Sequence, residues 1–241
     1  MSNVLKFPPS WQNIKQQYEL FDDFFSDQSD LSWVDTITDS GTALVNDAVN
    51  GVMVLTPSDG TVADNDEVYL ASANELFLYA ADKPFVGRCR LKFVETTSGV
   101  YNAFFGFASA IGANTLADDG GGMRPSGSVA AIYKVDGETV WRCVTRNNGV
   151  ATVSQSTTTA GGASYQELEI EVVYLNSTQV QVVFRVDGVA LKDATTGLPI
   201  VHTVTVASAT EMQIGAGAKL GAATNNDTLS IDYIGFAASR G

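Results

Sequence analysis

The run SYQELEIEVVYLNSTQVQVVFRVDGVA, residues 164–190, decides the fold class. Its first half alternates strictly, with Leu168, Ile170 and Val172 on one side and Glu167, Glu169 and Glu171 on the other. A period of two with that polarity is the pattern of a strand that turns one face to a core and one to water. Asn176-Ser177-Thr178 is a short polar connection of the kind that closes a hairpin. The second half alternates again, Val180, Val182, Phe184 and Val186 against Gln179, Gln181, Val183 and Arg185. It ends at Asp187-Gly188, a pair that tolerates positive φ. A half-buried antiparallel sheet follows.

The same punctuated pattern continues on both sides. Residues 43–45, 51–56, 68–70, 76–80, 85–94, 129–134, 139–145 and 150–154 read as strands, separated by Asn, Asp and Gly turns. Residues 103–108 are so apolar and small that they predict a strand buried on both faces. Residues 157–162 read as a polar linker. The one long irregular piece is residues 109–128, containing Asp118-Asp119-Gly120-Gly121-Gly122, and a loop of that length in a compact domain is often functional. Strands at this spacing specify an all-β sandwich. Residues 1–17 read differently and form a separate N-terminal arm before a sandwich domain of residues 18–241. Pro8-Pro9 impose an extended segment, and Ser10 then caps a short helix that places Trp11, Ile14 and Tyr18 on one side. That arm either packs locally or docks on a neighbouring subunit, because Phe7, Trp11 and Ile14 are costly to leave in water.

Composition sets outer limits. With 241 residues, 45% of them hydrophobic, the chain can build one large core. The 27 acidic against 14 basic residues give a net charge of −13, which repels phosphate and anionic bilayers, so nucleic acid and membrane are both unexpected partners. The first residues lack the apolar stretch of a secretory signal, and no apolar run is long enough for a membrane helix. Cys89 and Cys143 are therefore expected as free, packed thiols. Two cysteines and the single histidine do not make a structural zinc site.

Further along, a strand that ends in Phe184-Arg185-Val186-Asp187-Gly188-Val189 resembles the concanavalin-like, or laminin-G-like, jelly-roll sandwich. The opening Asp22-Asp23-Phe24 and the closing run Leu229-Ser230-Ile231-Asp232-Tyr233-Ile234-Gly235-Phe236 resemble the first and last strands of that fold. Gly197-Leu198-Pro199, Val204 and Gly215-Ala216-Gly217 resemble a segment of phage-encoded sandwiches of this type. Asn65-Asp66-Glu67, Leu70, Glu75-Leu76-Phe77 and Ala81-Asp82-Lys83-Pro84 resemble the same phage group, whose members are virion structural proteins. The similarity spans residues 20–241.

That resemblance implies a concanavalin-like jelly roll of two antiparallel sheets and a non-enzymatic protein of a tailed-phage virion. The particular expectation is a capsid decoration, or cement, protein on the capsid surface, synthesised in the host cytoplasm. Its partner would be the major capsid protein, reached through Phe7, Pro8, Pro9, Trp11 and Ile14, and by analogy it would be a homo-oligomer, a trimer. The alternative is a carbohydrate-binding module on a tail fibre or the capsid surface, with the ligand, a glycan, near residues 109–128.

Chemistry has few candidates. Laminarinase-like glycosidases of this fold use a Glu-x-Asp-x-(x)-Glu strand, and Glu167, Glu169 and Glu171 have the alternation but place Glu where that motif has Asp. The competing reading is a solvated strand face. His202 has no Gly-x-Ser-x-Gly partner and reads as a satisfied histidine. Gly120 to Gly122 lack the Lys-Ser/Thr of a phosphate loop. No cofactor is expected; calcium is the one metal raised, with Asp64, Asn65, Asp66, Glu67, Asp118 and Asp119 as hard loop ligands and Asp22, Asp23 and Asp232 as a second group.

Overall fold

The computed structural model describes residues 17–24, 32–46 and 51–239. Within them the chain forms strands and no helix. In chain order these are β1 (Gln17–Asp22), β2 (Trp33–Ile37), β3 (Ser40–Asn46), β4 (Val52–Ser58), β5 (Glu67–Ser72) and β6 (Phe85–Lys92). Then come β7 (Tyr101–Ala108), β8 (Ser128–Lys134), β9 (Val140–Asn147), β10 (Thr152–Thr159) and β11 (Gln166–Asn176). The last are β12 (Gln179–Val186), β13 (Val189–Ala190), β14 (Val201–Thr205), β15 (Gln213–Leu220) and β16 (Leu229–Ser239).

They assemble into two antiparallel sheets. Sheet A runs β13-β12-β11-β6-β16-β4-β3, with β14 also on β12 and β1 also on β16. Sheet B runs β10-β9-β8-β7-β15-β5-β2. The hairpin that opened the sequence reading is β11 with β12, in the register Leu168↔Val186, Ile170↔Phe184 and Val172↔Val182. Those six side chains are buried, and the alternate ones face outward. Asp187 (φ 51°) and Gly188 (φ 75°) make the two-residue turn into β13. Asp187 also accepts the Glu167 amide on its carboxylate (2.8 Å), which fixes where β11 begins.

The inward faces meet in one core. Phe77 and Phe85 each pack edge-on against Phe107, with ring centroids 4.7 Å apart. Trp141 lies edge-on to Phe93 at 5.9 Å and donates its indole N–H to Gln166 Oε1 (3.1 Å), so its only polar atom is satisfied inside. Cys89 and Cys143 are free and buried, and burial pushes both thiols up, away from the reactive thiolate.

Three local expectations change. Residues 76–80 do not form a strand; only Phe77 bridges, to Met212, because Phe77 and Tyr79 are inserted into the core and Tyr79 donates to the Val129 carbonyl (2.7 Å). Residues 157–159 are not linker but the end of β10, since Ser156 bridges Asp193 and the Thr157 amide reaches the Lys192 carbonyl (3.1 Å). The opening strand stops at Asp22, which caps itself by accepting the Phe24 amide (2.8 Å) and the Trp33 indole N–H (2.8 Å). In each case a tertiary contact overrode local pattern.

Candidate functional site

The acidic strand comes first, because the sequence nominated it. On the outer face of sheet A, the register sets Glu167 beside Arg90, and Glu169 between Arg88 on β6 and Arg185 on β12. Glu169 pairs with both arginines, and Arg185 also reaches Glu171 at 2.8 Å. Glu167 accepts the Tyr233 hydroxyl, and Arg90 pairs with Asp232. Glu169 and Glu171 are only 7% and 9% exposed, so neither is the solvated face that the alternation alone suggested. General acid–base work on a glycoside needs one carboxyl held protonated and one free to attack or activate water. Here each is engaged by a guanidinium or a phenol. The neighbouring Tyr165 ring is occupied too, with Arg90 4.5 Å and Lys92 4.7 Å from its centroid.

The outer face of sheet B is closed by residues 109–127. Tyr69, Phe104, Val129, Ala131, Tyr133 and Val144 form a second apolar cluster on that face, and Ile111, Leu116 and Met123 of the loop cover it. Gly217 lets the Tyr69 ring lie flat across β15; a Cβ there would sit 2.1 Å from Tyr69 Cδ1. This is why β7 is buried along its whole length, as its composition predicted. Polar pins lock the loop. Lys219, 1% exposed, donates to Asn114 Oδ1 (2.9 Å) and pairs with Asp118 and with Glu67 (3.3 Å). Glu67 accepts the Asn114 amide (2.9 Å) and the Tyr69 hydroxyl (2.8 Å). Arg146 holds the other end through the Gly127 carbonyl (2.8 Å) and the Ser126 carbonyl (2.6 Å).

Those pins also use the carboxylates considered for calcium. Glu67 and Asp118 belong to Lys219, Asp66 accepts the Ala63 amide (2.9 Å), and Asp22 and Asp232 are engaged as described. Among the described residues no group of three or more His, Cys, Asp or Glu is placed to hold a metal ion.

His202 is a satisfied histidine between the sheets. Its Nδ1 lies 3.0 Å from Thr145 Oγ1 on β9 and its Nε2 3.1 Å from Ser154 Oγ on β10, with the Phe184 ring edge-on at 5.2 Å. Burial pushes its pKa down to about 4, against a small opposing pull from Asp193, so the ring is neutral at pH 7.

A cavity of about 220 Å³ opens at one end of the sandwich. Its floor is Phe77, Phe85 and Ala238, all buried. One wall is Tyr18 of β1, whose ring stands 6.3 Å from Phe77 and 5.9 Å from Phe236, and whose hydroxyl donates to the Leu76 carbonyl. The rim carries Glu75, Lys83 and Glu211, all exposed. None of these three forms an ion pair with another described residue, whereas Arg88, Arg90, Lys134, Arg142, Arg185 and Lys219 all do. A rigid aromatic floor under uncommitted polar groups is what a small-ligand site requires. Pattern reading missed it as a site. Its residues come from four separate pieces of chain, and Glu75 to Phe77 and Lys83 drew notice only as family-like motifs. Phe7, Pro8, Pro9, Trp11 and Ile14, the expected partner-binding set, lie outside the described residues.

Comparison with known proteins defines the fold. No protein-family model matches the chain, and no curated protein matches it in sequence. Solved structures do. An endo-1,3-β-glucanase from Streptomyces sioyaensis superposes with a TM-score of 0.63 at 14% identity, over 98% of this chain and 99% of that one. The carbohydrate recognition domain of Emp46p, in its metal-free form, gives 0.60 at 12% identity, over 91% and 95%. Lectin II from Ulex europaeus gives 0.55 at 13% identity, over 93% and 99%. The chain is thus a concanavalin-like jelly-roll sandwich of the lectin and glucanase kind, as the sequence resemblance implied. None of these three is a virion protein.

Proposed function

We propose that the protein binds carbohydrate without cleaving it, in the cavity walled by Tyr18. The observation that carries this reading is the uncommitted rim of Glu75, Lys83 and Glu211 over the Phe77 and Phe85 floor. Sugar hydroxyls need both acceptors and donors, and the carboxylates and the ammonium supply them. The apolar face of a sugar ring needs an aromatic surface, and the half-buried Tyr18 ring on the cavity wall offers it. The cavity is smaller than the ~300–1,000 Å³ of drug-sized ligand sites, so it suits one sugar ring at the end of a chain. Binding is favoured over hydrolysis because Glu167, Glu169 and Glu171 are all engaged by Arg88, Arg185 or Tyr233. The likeness to two carbohydrate-binding folds supports the reading without deciding it, since a fold hosts many functions. A glycan array probed with the intact chain and with Tyr18→Ala tests it. Retention of defined glycans by the first and not the second is the expected result; an array without retained glycans rejects the proposal.

A second reading, that the chain decorates a phage capsid by contact with the major capsid protein, is favoured by a different observation. The edge strands of the two sheets, β2 and β3, expose Val34 (50%), Ile37 (38%) and Leu44 (58%) on one side of the sandwich. Neither strand carries the lysine or proline that blunts an unpaired edge. Quantitative mass spectrometry of purified particles tests it: a copy number comparable with the shell subunit supports decoration, and absence from the particle rejects it.

A further inference from the structure

The buried acids of the sandwich divide by what neutralises them. Glu67, Glu169 and Glu171 each pair with a lysine or an arginine. Asp66 and Asp227 pair with no cation among the described residues. Asp66 is engaged within its own turn by the Ala63 amide (2.9 Å). Asp227, 8% exposed in the connection between β15 and β16, has different neighbours. It accepts the Thr96 hydroxyl (2.7 Å) on one oxygen and the Thr96 amide (3.0 Å) on the other, and each oxygen keeps a further lone pair. A buried carboxylate is costly unless it is paired or bound to a metal.

Two buried hydroxyls stand beside it. Tyr101, 0% exposed at the start of β7, packs its ring against Phe93 (5.1 Å), and its phenol oxygen has no hydrogen-bond partner among the described residues. Burial, then the negative charges of Asp227 and Glu95, push that hydroxyl well up, so both carboxylates act on it. Ser58, 2% exposed at the end of β4, donates its amide to Asn226 Oδ1 (3.1 Å), and its carbonyl accepts Asn226 Nδ2 (2.7 Å). That exchange fixes Ser58 one residue from Asp227, and the Ser58 hydroxyl oxygen is unpartnered too. Glu95 is already neutralised, because Lys134 donates to it and the Tyr101 amide reaches it (3.0 Å). One negative charge and two buried hydroxyls are left over at this end of the sandwich.

We propose that Asp227, Tyr101 and Ser58 hold a monovalent cation, a sodium ion. The donors are all oxygen, as a hard cation requires, and each hydroxyl can turn a lone pair to the ion and its proton to a carboxylate. A single uncompensated carboxylate suits one positive charge; calcium sites draw on several carboxylates among about six to eight oxygens. Hydroxyls in place of further acids are why this group is not a cluster of three or more His, Cys, Asp or Glu. Ser58 and Asp227 lie at the ends of sheet A strands and Tyr101 at the start of a sheet B strand, so the ion clips the two sheets together.

Thermal unfolding of the intact protein in sodium chloride, against choline chloride at equal ionic strength, tests this, since general screening is the same in both. Sodium should raise Tm by about 3–6 °C at about ten times its Kd, and the gain should saturate. Tyr101→Phe should lose that gain. In choline it should melt at or above the wild-type temperature, because it removes a buried hydroxyl that has no partner. Asp227→Asn should lose the gain as well; if that variant does not fold, Tyr101→Phe alone decides. Equal melting in sodium and choline overturns the proposal. So does a sodium gain that Tyr101→Phe keeps, which places the ion elsewhere. A gain with calcium chloride and none with sodium overturns the monovalent assignment.

Discussion

On sheet A the outward side chains include Arg88, Arg90 and Lys92 of β6, Glu167, Glu169 and Glu171 of β11 and Arg185 of β12, with Glu169 and Glu171 paired to arginines across strands. On sheet B the outward side chains of β5, β7 and β8 include Tyr69, Phe104, Ala131 and Tyr133, and a nineteen-residue connection folds down on them. Both faces belong to antiparallel sheets that meet in one core. Sheet A covers its back with its own long side chains and neutralises their charge laterally, so it needs no lid of chain. Sheet B is apolar on both sides and needs a lid of chain, whose own buried polar groups must then be matched. Lys219 does that matching, and its loss would leave Glu67 buried beside an unpaired Asp118. A difference in outward residue type thus decides which face can take a partner and which is interior.

Substitutions can break that contrast. Lys219→Met should cost about 3–5 kcal/mol, since removing one member of a buried ion pair strands the other, and denaturant unfolding measures it. Proteolysis within residues 109–127 should accelerate in the same variant; an unchanged midpoint would mean the loop is held by its apolar contacts alone. Arg185→Ala on sheet A should cost less, about 1–2 kcal/mol, because Arg88 still serves Glu169 and the guanidinium removed is itself partly exposed. If the two losses are equal, sheet A is as dry as sheet B and the comparison fails.

A pH effect of similar size follows from His202. Its folded pKa is about 4, below the unfolded value of ~6.5, so the unfolded chain binds more protons between those limits. The stabilisation is complete above about pH 6.5 and is lost as pH falls toward 4, by up to about 3 kcal/mol. His202→Gln, which keeps hydrogen-bonding capacity toward Thr145 and Ser154, should flatten that part of the stability curve. An identical pH dependence in the variant would remove His202 as its cause. The smallest effect belongs to Glu169→Gln, which leaves Arg185 with Glu171 and should change stability by less than about 1 kcal/mol.

The sheets were largely legible because a period of two writes each face directly into the chain, as in residues 166–186, and because Asp187-Gly188 fixes a turn type. Double burial of β7 was legible from Phe104, Phe105 and Phe107 with Gly106. The pairing of Glu169 with Arg88 was not, since they lie 81 positions apart and meet only through register. The cavity was hidden for the same reason: Tyr18, Glu75, Lys83 and Glu211 converge only once β1 lies on β16 and residue 77 bridges residue 212. Alternation reports which way a side chain faces, and a site made from chain ends and connections needs the third dimension.

Chemical-shift mapping of the isotopically labelled protein with glucose tests the central claim, carbohydrate binding in the cavity, most directly. Shifts confined to residues 75–78, 83, 211 and 238–239, and lost in Tyr18→Ala, are the expected result. Shifts on the outer face of sheet A or in residues 109–127, with the cavity silent, would contradict it.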